Sequence, residues 1–189
     1  MTAGIGHNGG PEMTGVSWRT HCWKAARERL LPTLPIEVVR LRVRRAAELG
    51  LDYKTYAGIR ASTGHDLVAF LFSSNALRVY SASAQVSPDK RAKVAGLQAG
   101  TIGLATVPLR TEDLARMVPE LQQSHPSPMH LASFSEARSI MRAALGKLPS
   151  DAVLLVGDHR LEAEWCMAGR LAGYLPSDRF FGVAGQENA

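Results

Sequence analysis

Asp151-Ala152-Val153-Leu154-Leu155-Val156-Gly157 is the clearest strand in the sequence: an acidic start, an unbroken apolar run and a glycine stop. A strand with one wet face alternates apolar and polar residues. A continuous apolar run of this length is instead the habit of a parallel strand covered on both sides. Leu67-Val68-Ala69-Phe70-Leu71-Phe72 has the same character and reads as a second buried strand, although Asp66 ahead of it can also cap a helix. Working outward, Gly100 leads into a strand over residues 101–107, and a short strand is expected near residues 129–132.

Helices fall between these runs. Ser87-Pro88-Asp89 combines a cap, a first-turn proline and an acid at the positive end of the dipole, starting a helix that runs to about residue 97. Thr111 caps a helix with Leu114, Met117, Val118 and Leu121 on one face. Ser133 with Glu136 forms a capping box ahead of Phe134, Ala137, Ile140, Met141, Ala144 and Leu148. A last helix, with Leu161, Trp165, Ala168, Ala172 and Leu175 on one face, is expected to reach residue 175 before Pro176. Strands alternating with helices imply right-handed βαβ units. The expected fold is α/β, a small parallel sheet of about four strands flanked by helices and preceded by a basic helical N-terminal segment. The expected organisation is a Gly-rich flexible tail over 1–15, a basic helical segment over 16–64, the α/β domain over 65–176 and a C-terminal tail over 177–189.

Composition agrees with that reading. In 189 residues, 46% hydrophobic and 21% charged side chains can build a core and exclude a wholly disordered chain. No apolar run approaches a membrane span, and residues 1–15 lack a signal peptide's apolar core, so a cytoplasmic protein that does not contact membranes is expected. Cys22 and Cys166 cannot make a disulfide framework, and neither belongs to a CxxC pair.

Gly4-Ile5-Gly6-His7-Asn8-Gly9 matches the GxGxxG dinucleotide string, but no strand precedes it and Pro11 follows, so it lacks the strand-to-helix turn that holds a pyrophosphate. The segment through Gly10 resembles a short leader found on assorted bacterial proteins, a likeness that covers about eight residues and assigns no activity.

The net charge of +5 is unevenly placed: residues 17–60 carry +6 and the remainder −1. One helix is expected from Ser17 to about residue 31, a second from Pro35 through residue 49 with Gly50 as its stop, and a third over residues 53–62. Within the second, Val39-Arg40-Leu41-Arg42-Val43-Arg44 alternates as a strand would, so residues 36–49 stay open between helix and strand, with the punctuation favouring helix. Residues 46–59 also have the spacing of a helix-turn-helix: Ala46 for a close crossing, Gly50 at the turn, and Leu49, Leu51, Tyr56 and Ile59 where the helices would pack. Arg45 and Asp52 do not suit that motif, and the spacing is better read as an Arg-rich solvated face on an ordinary helical hairpin. Such a surface fits a polyanion, DNA or RNA, with Arg40, Arg42, Arg44, Arg45, Lys54 and Arg60 as candidate contacts.

A parallel sheet binds ligands at the carboxyl ends of its strands. Those ends offer Ser73, Ser74 and Asn75 after the first strand, and Asp158 and His159 after the last. The hydroxyls and amide can hold a small anionic ligand or serve as turn residues, while Asp158 and His159 can supply a carboxylate and an imidazole for hydrolysis, or Asp158 can cap the last helix. Cys166, mid-helix between Trp165 and Met167, reads as a structural thiol. The histidines show no HxH or HExxH spacing, and no P-loop or GxSxG elbow occurs, so no metal or cofactor is assigned. These features favour a nucleic-acid-associated regulatory protein with an α/β sensing or dimerising domain; the alternatives are a small α/β enzyme or ligand-binding domain for an anionic metabolite, and an interaction protein without catalysis, and a homo-oligomer is compatible with each.

Overall fold

The computed structural model describes residues 34–129 and 131–182. The expected N-terminal tail, the helix from Ser17, Cys22, His130 and the last seven residues lie outside the described part. The chain divides into two compact units, residues 1–39 and 40–189. In chain order the elements are α1 (Ile36–Glu48), α2 (Tyr53–Thr63), β1 (Ala69–Ser73), α3 (Pro88–Ala95), β2 (Gly100–Ala105), α4 (Thr111–Met117), β3 (Gln123–Pro126), α5 (Phe134–Leu145), a 3-10 turn (Ser150–Ala152), β4 (Val153–Gly157), α6 (Glu162–Gly169), β5 (Gly173–Pro176) and α7 (Ser177–Phe181).

The strands form one sheet in the order β3-β2-β1-β4-β5, with every pairing parallel. Both runs that decided the fold class are central strands, and every residue of β1 and β4 is buried. Their side chains alternate between two cores. Phe70, Phe72, Leu154 and Val156 join Ala46, Leu49, Tyr56, Val94, Leu114, Val118 and Phe180 from α1, α2, α3, α4 and α7 or their ends. Ala69, Leu71, Val153 and Leu155 join Met141, Ala144, Leu145 and Trp165 from α5 and α6. Helices therefore cover both faces, the condition that lets a parallel strand be apolar throughout.

The sheet has one strand more than expected, and its edges are where sequence periodicity misleads. β3 lies at Gln123–Pro126, not near residue 129, because this edge strand is polar and carries no apolar run. The last helix stops at Gly169, Arg170 turns left-handed at φ 54°, and the chain re-enters the sheet as β5. The helical spacing of Ala172 and Leu175 with the residues before them is coincidental. Ser177–Phe181, expected as tail, is helix α7, and it buries Phe180 against Phe70 and Phe72 at ring-centroid distances of 5.5 Å. The alternating arginine segment is helical: Pro35 precedes α1, and Gly50, at φ +62°, ends it. Ala46, Leu49, Leu51 and Tyr56 are buried in the core cluster that holds Phe70 and Phe72, so the face that spaces like a helix-turn-helix lies on the sheet. No described helix is long and apolar enough to cross a membrane.

Candidate functional site

β1 sits between β2 and β4, and the chain leaves it first toward β2 and β3, then crosses back to β4 and β5. The loops after β1 and β4 therefore diverge to opposite sides, and the crevice between them is where open α/β sheets bind ligands. Ser73, Ser74 and Asn75 leave β1 at this point; Gly157, Asp158 and His159 leave β4.

Glu162, in the first turn of α6, joins these two loops. It is fully buried. Its Oε2 accepts from Ser73 Oγ at 3.0 Å, from the Asp158 amide at 2.8 Å and from the His159 amide at 3.3 Å, while Oε1 accepts from Asn75 Nδ2 at 2.7 Å. Four donors thus satisfy one carboxylate that burial would otherwise make costly. Gly157 makes the room: a β-carbon there would overlap Glu162 Oε2 and come within 2.6 Å of Tyr174 Cε2. Ser73 and Ser74 are themselves buried, and their hydroxyls are engaged inside the fold. Ser73 Oγ also accepts from the Ala76 amide at 3.1 Å, and Ser74 Oγ from the Thr106 amide at 3.1 Å. Thr106 Oγ1, at the end of β2, is buried without a hydrogen-bond partner.

The solvent side of the crevice is built from other groups. Arg78 adopts a left-handed backbone, φ 61°, and its Nε lies 3.6 Å from Asp158 Oδ2. Lys90, from α3, donates to Ala76 O at 2.7 Å with its Nζ 4.8 Å from the centroid of the Phe181 ring. Partial burial, reinforced by the Arg78 charge and opposed by Asp158, holds the Lys90 ammonium below the ordinary lysine range. Tyr174, whose hydroxyl donates to His159 O at 3.2 Å, is pushed up to about 12 by burial and then by the neighbouring carboxylates of Glu162, Asp158 and Asp178. Asp158 does not cap α6: the cap position is Leu161, with no side-chain hydrogen bond, because it is the Asp158 amide and not its carboxylate that faces the helix start, where Glu162 receives it.

The structure thus brings Ser73, Asn75, Asp158 and His159 together, and adds Glu162, Arg78 and Lys90, which sequence reasoning passed over. The signal available was a glycine-ended strand followed by a short turn and a carboxylate, opposite a strand that ends in three small polar residues. Among the described residues no group of three or more His, Cys, Asp or Glu side chains is placed to hold a metal ion.

The arginines of the front end are placed differently. Arg45 donates from Nε to Asp66 Oδ2 at 2.9 Å, and from its terminal nitrogens to Glu48 Oε2, Gln98 O and Leu67 O, each at 3.1 Å. It fastens α1 to the start of β1. Arg44 pairs with Glu48 at 3.5 Å, and Arg60 approaches Asp66 at 3.8 Å. Asp52 caps α2 through the Thr55 amide, and the Thr55 hydroxyl accepts from Arg179 at 3.1 Å. Arg40, Arg44 and Lys54 are exposed and Arg42 is half-buried.

Fold and site together define an α/β protein with a doubly wound parallel sheet and a polar crevice at its switch point. No family model, curated protein or solved structure matches the chain.

Proposed function

We propose that the protein is a small α/β enzyme or ligand-binding domain that acts on an anionic metabolite at the carboxyl edge of its sheet. The observation that carries this reading is the meeting of the β1 and β4 loops on Glu162, with Arg78 and Lys90 on the open side. Four backbone and side-chain donors fix the loops, so the cations and the Asn75 amide sit on a rigid support. Lys90 supplies the anion contact, Arg78 is held by Asp158 until a ligand carboxylate or phosphate competes for it, and Asp158 is the accessible group for proton transfer. Isothermal titration against a panel of phosphorylated and carboxylated small molecules tests the reading. At least one member binds the wild type, and Lys90→Ala and Arg78→Ala each weaken it about tenfold with the unfolding midpoint retained. The reading is refuted if no member of the panel shows a binding step that these two substitutions weaken.

A second reading, association with DNA or RNA through α1, rests on Arg40 and Arg44, which stand exposed one turn apart.

A further inference from the structure

We infer that a second anion site lies at the opposite edge of the sheet, a cleft in which Arg138, Arg142, Arg170 and Ser150 take the phosphate group of a small phosphorylated molecule. The cleft measures about 260 Å³ and is floored by Leu145 and Ala168. Ser150 opens the turn that leads into β4, and Arg170 lies between α6 and β5, so the cleft faces the amino ends of these strands, whereas the crevice faces their carboxyl ends.

Arg138 and Arg142 are one turn apart on α5 and so share a face. Arg170 reaches the same cleft from the end of α6. No carboxylate lines the cleft, and none of the three guanidinium groups has an ion pair or side-chain hydrogen bond among the described residues. Arg44, Arg45, Arg60, Arg78, Arg91, Arg110 and Arg116 each stand beside an acid, whereas Arg42 and Arg160, like these three, have no ion pair among the described residues, but neither of those two lines this cleft. Three uncompensated charges round one cavity repel each other, and an anion relieves that repulsion. Arg170 adds a second indication. It occupies the left-handed position after α6, φ 54° and ψ 45°, where glycine is the usual residue and a β-carbon is disfavoured. A phosphate dianion matches the donors better than a carboxylate, because it offers three terminal oxygens to three planar forks and a serine hydroxyl. The volume of this open cleft suits a phosphate with a few attached atoms and is below the ~300 Å³ at which sites for drug-sized ligands begin.

Titration calorimetry on the full chain with inorganic phosphate and with phenyl phosphate tests the site, run in the wild type and in Lys90→Ala so that the crevice and the cleft are separated. Saturable binding persists in Lys90→Ala. Arg142→Ala and Arg138→Gln each weaken it about tenfold in that background. Arg170→Gly weakens it as well while keeping the unfolding midpoint or raising it, since glycine suits the left-handed backbone. Absence of saturable binding in Lys90→Ala, or binding there that the three arginine substitutions leave unchanged, overturns the inference without touching the crevice reading. A single-stranded oligonucleotide that competes for these arginines and binds tighter than phenyl phosphate overturns the assignment to a small molecule.

Discussion

Asn75 Nδ2 donates to Glu162 Oε1 at 2.7 Å, so two side chains 87 positions apart in the sequence close the gap between the loops that follow β1 and β4. The same carboxylate takes Ser73 Oγ and the amides of Asp158 and His159. Glu162 is therefore a positioning residue: it holds the crevice open at a set width and leaves Arg78, Lys90 and Asp158 to meet a ligand.

Removing that carboxylate strands four donors in a buried space. Glu162→Ala is expected to lower the stability of the fold by about 3 kcal/mol, within the range for orphaned buried hydrogen-bonding groups. Gly157→Ala should cost a comparable amount, because its new methyl collides with Glu162 and Tyr174. Urea unfolding of each variant checks both. A midpoint within error of the wild type for Glu162→Ala would show that the node is not structural.

Asp66 gathers Arg45, the Tyr56 hydroxyl at 2.7 Å and the Leu67 amide at 2.9 Å. Burial raises the affinity of its carboxyl for a proton, but the Tyr56 and Arg45 hydrogen bonds and the Arg45 charge outweigh burial, and the net displacement is downward. A carboxylate whose folded value lies below its unfolded one stabilises the fold above the unfolded value, about 3.9, and that contribution is lost as pH falls through the folded value. Unfolding midpoints measured between pH 6 and about pH 2 should therefore fall with acid, and less steeply in Asp66→Asn. Arg45→Ala should be destabilising by about 1 to 2 kcal/mol at neutral pH, since it removes bonds that join α1 to β1, whereas Arg44→Ala, on an exposed surface pair, should change stability by less than about 0.5 kcal/mol. Equal slopes in wild type and Asp66→Asn would refute the linkage.

The centre of the fold was legible and its rims were not, for one physical reason. β1 and β4 are covered on both faces, so burial writes itself into their sequences as unbroken apolar runs. β3 and β5 are short edge strands; only Leu175 of β5 is buried, and no residue of β3 is. A strand that buries so little leaves no apolar run or alternation to find. The site divides in the same way. Ser73, Asn75, Asp158 and His159 were visible because they directly follow central strands. Glu162 lies one turn into a helix and Lys90 on α3, and their approach to the crevice depends on how those helices pack. Arg45, grouped by sequence with a basic patch, proves to be engaged with Asp66 because pairing across 21 positions leaves no local trace.

Cys166 is half-buried, and burial raises its thiol to about 11. Such a thiol has about a hundredfold less thiolate at pH 8 than one at the ordinary value of 9.0. In a Cys22→Ser background, iodoacetamide at pH 8 should label Cys166 correspondingly slowly in the folded protein and at the ordinary rate in urea. Rapid labelling in the folded state would overturn the structural reading and mark Cys166 as a reactive thiol.

The nucleic-acid reading meets its test on α1. Replacing Arg40, Arg42, Arg44 and Arg45 together confounds two effects, because Arg45 fastens the helix to the sheet. The informative variant is Arg40→Ala, Arg42→Ala and Arg44→Ala with Arg45 kept, which removes charge without cutting that attachment. If α1 contacts phosphates, wild-type affinity for a short DNA or RNA duplex falls steeply with salt, and the triple variant loses up to about three counterions from the slope of log affinity against log salt. Binding that is absent at low salt, or present with a slope the triple variant leaves unchanged, removes α1 as a nucleic-acid surface. The crevice reading would be unaffected, since its cations, Arg78 and Lys90, lie beside the β1 and β4 loops and not on this helix.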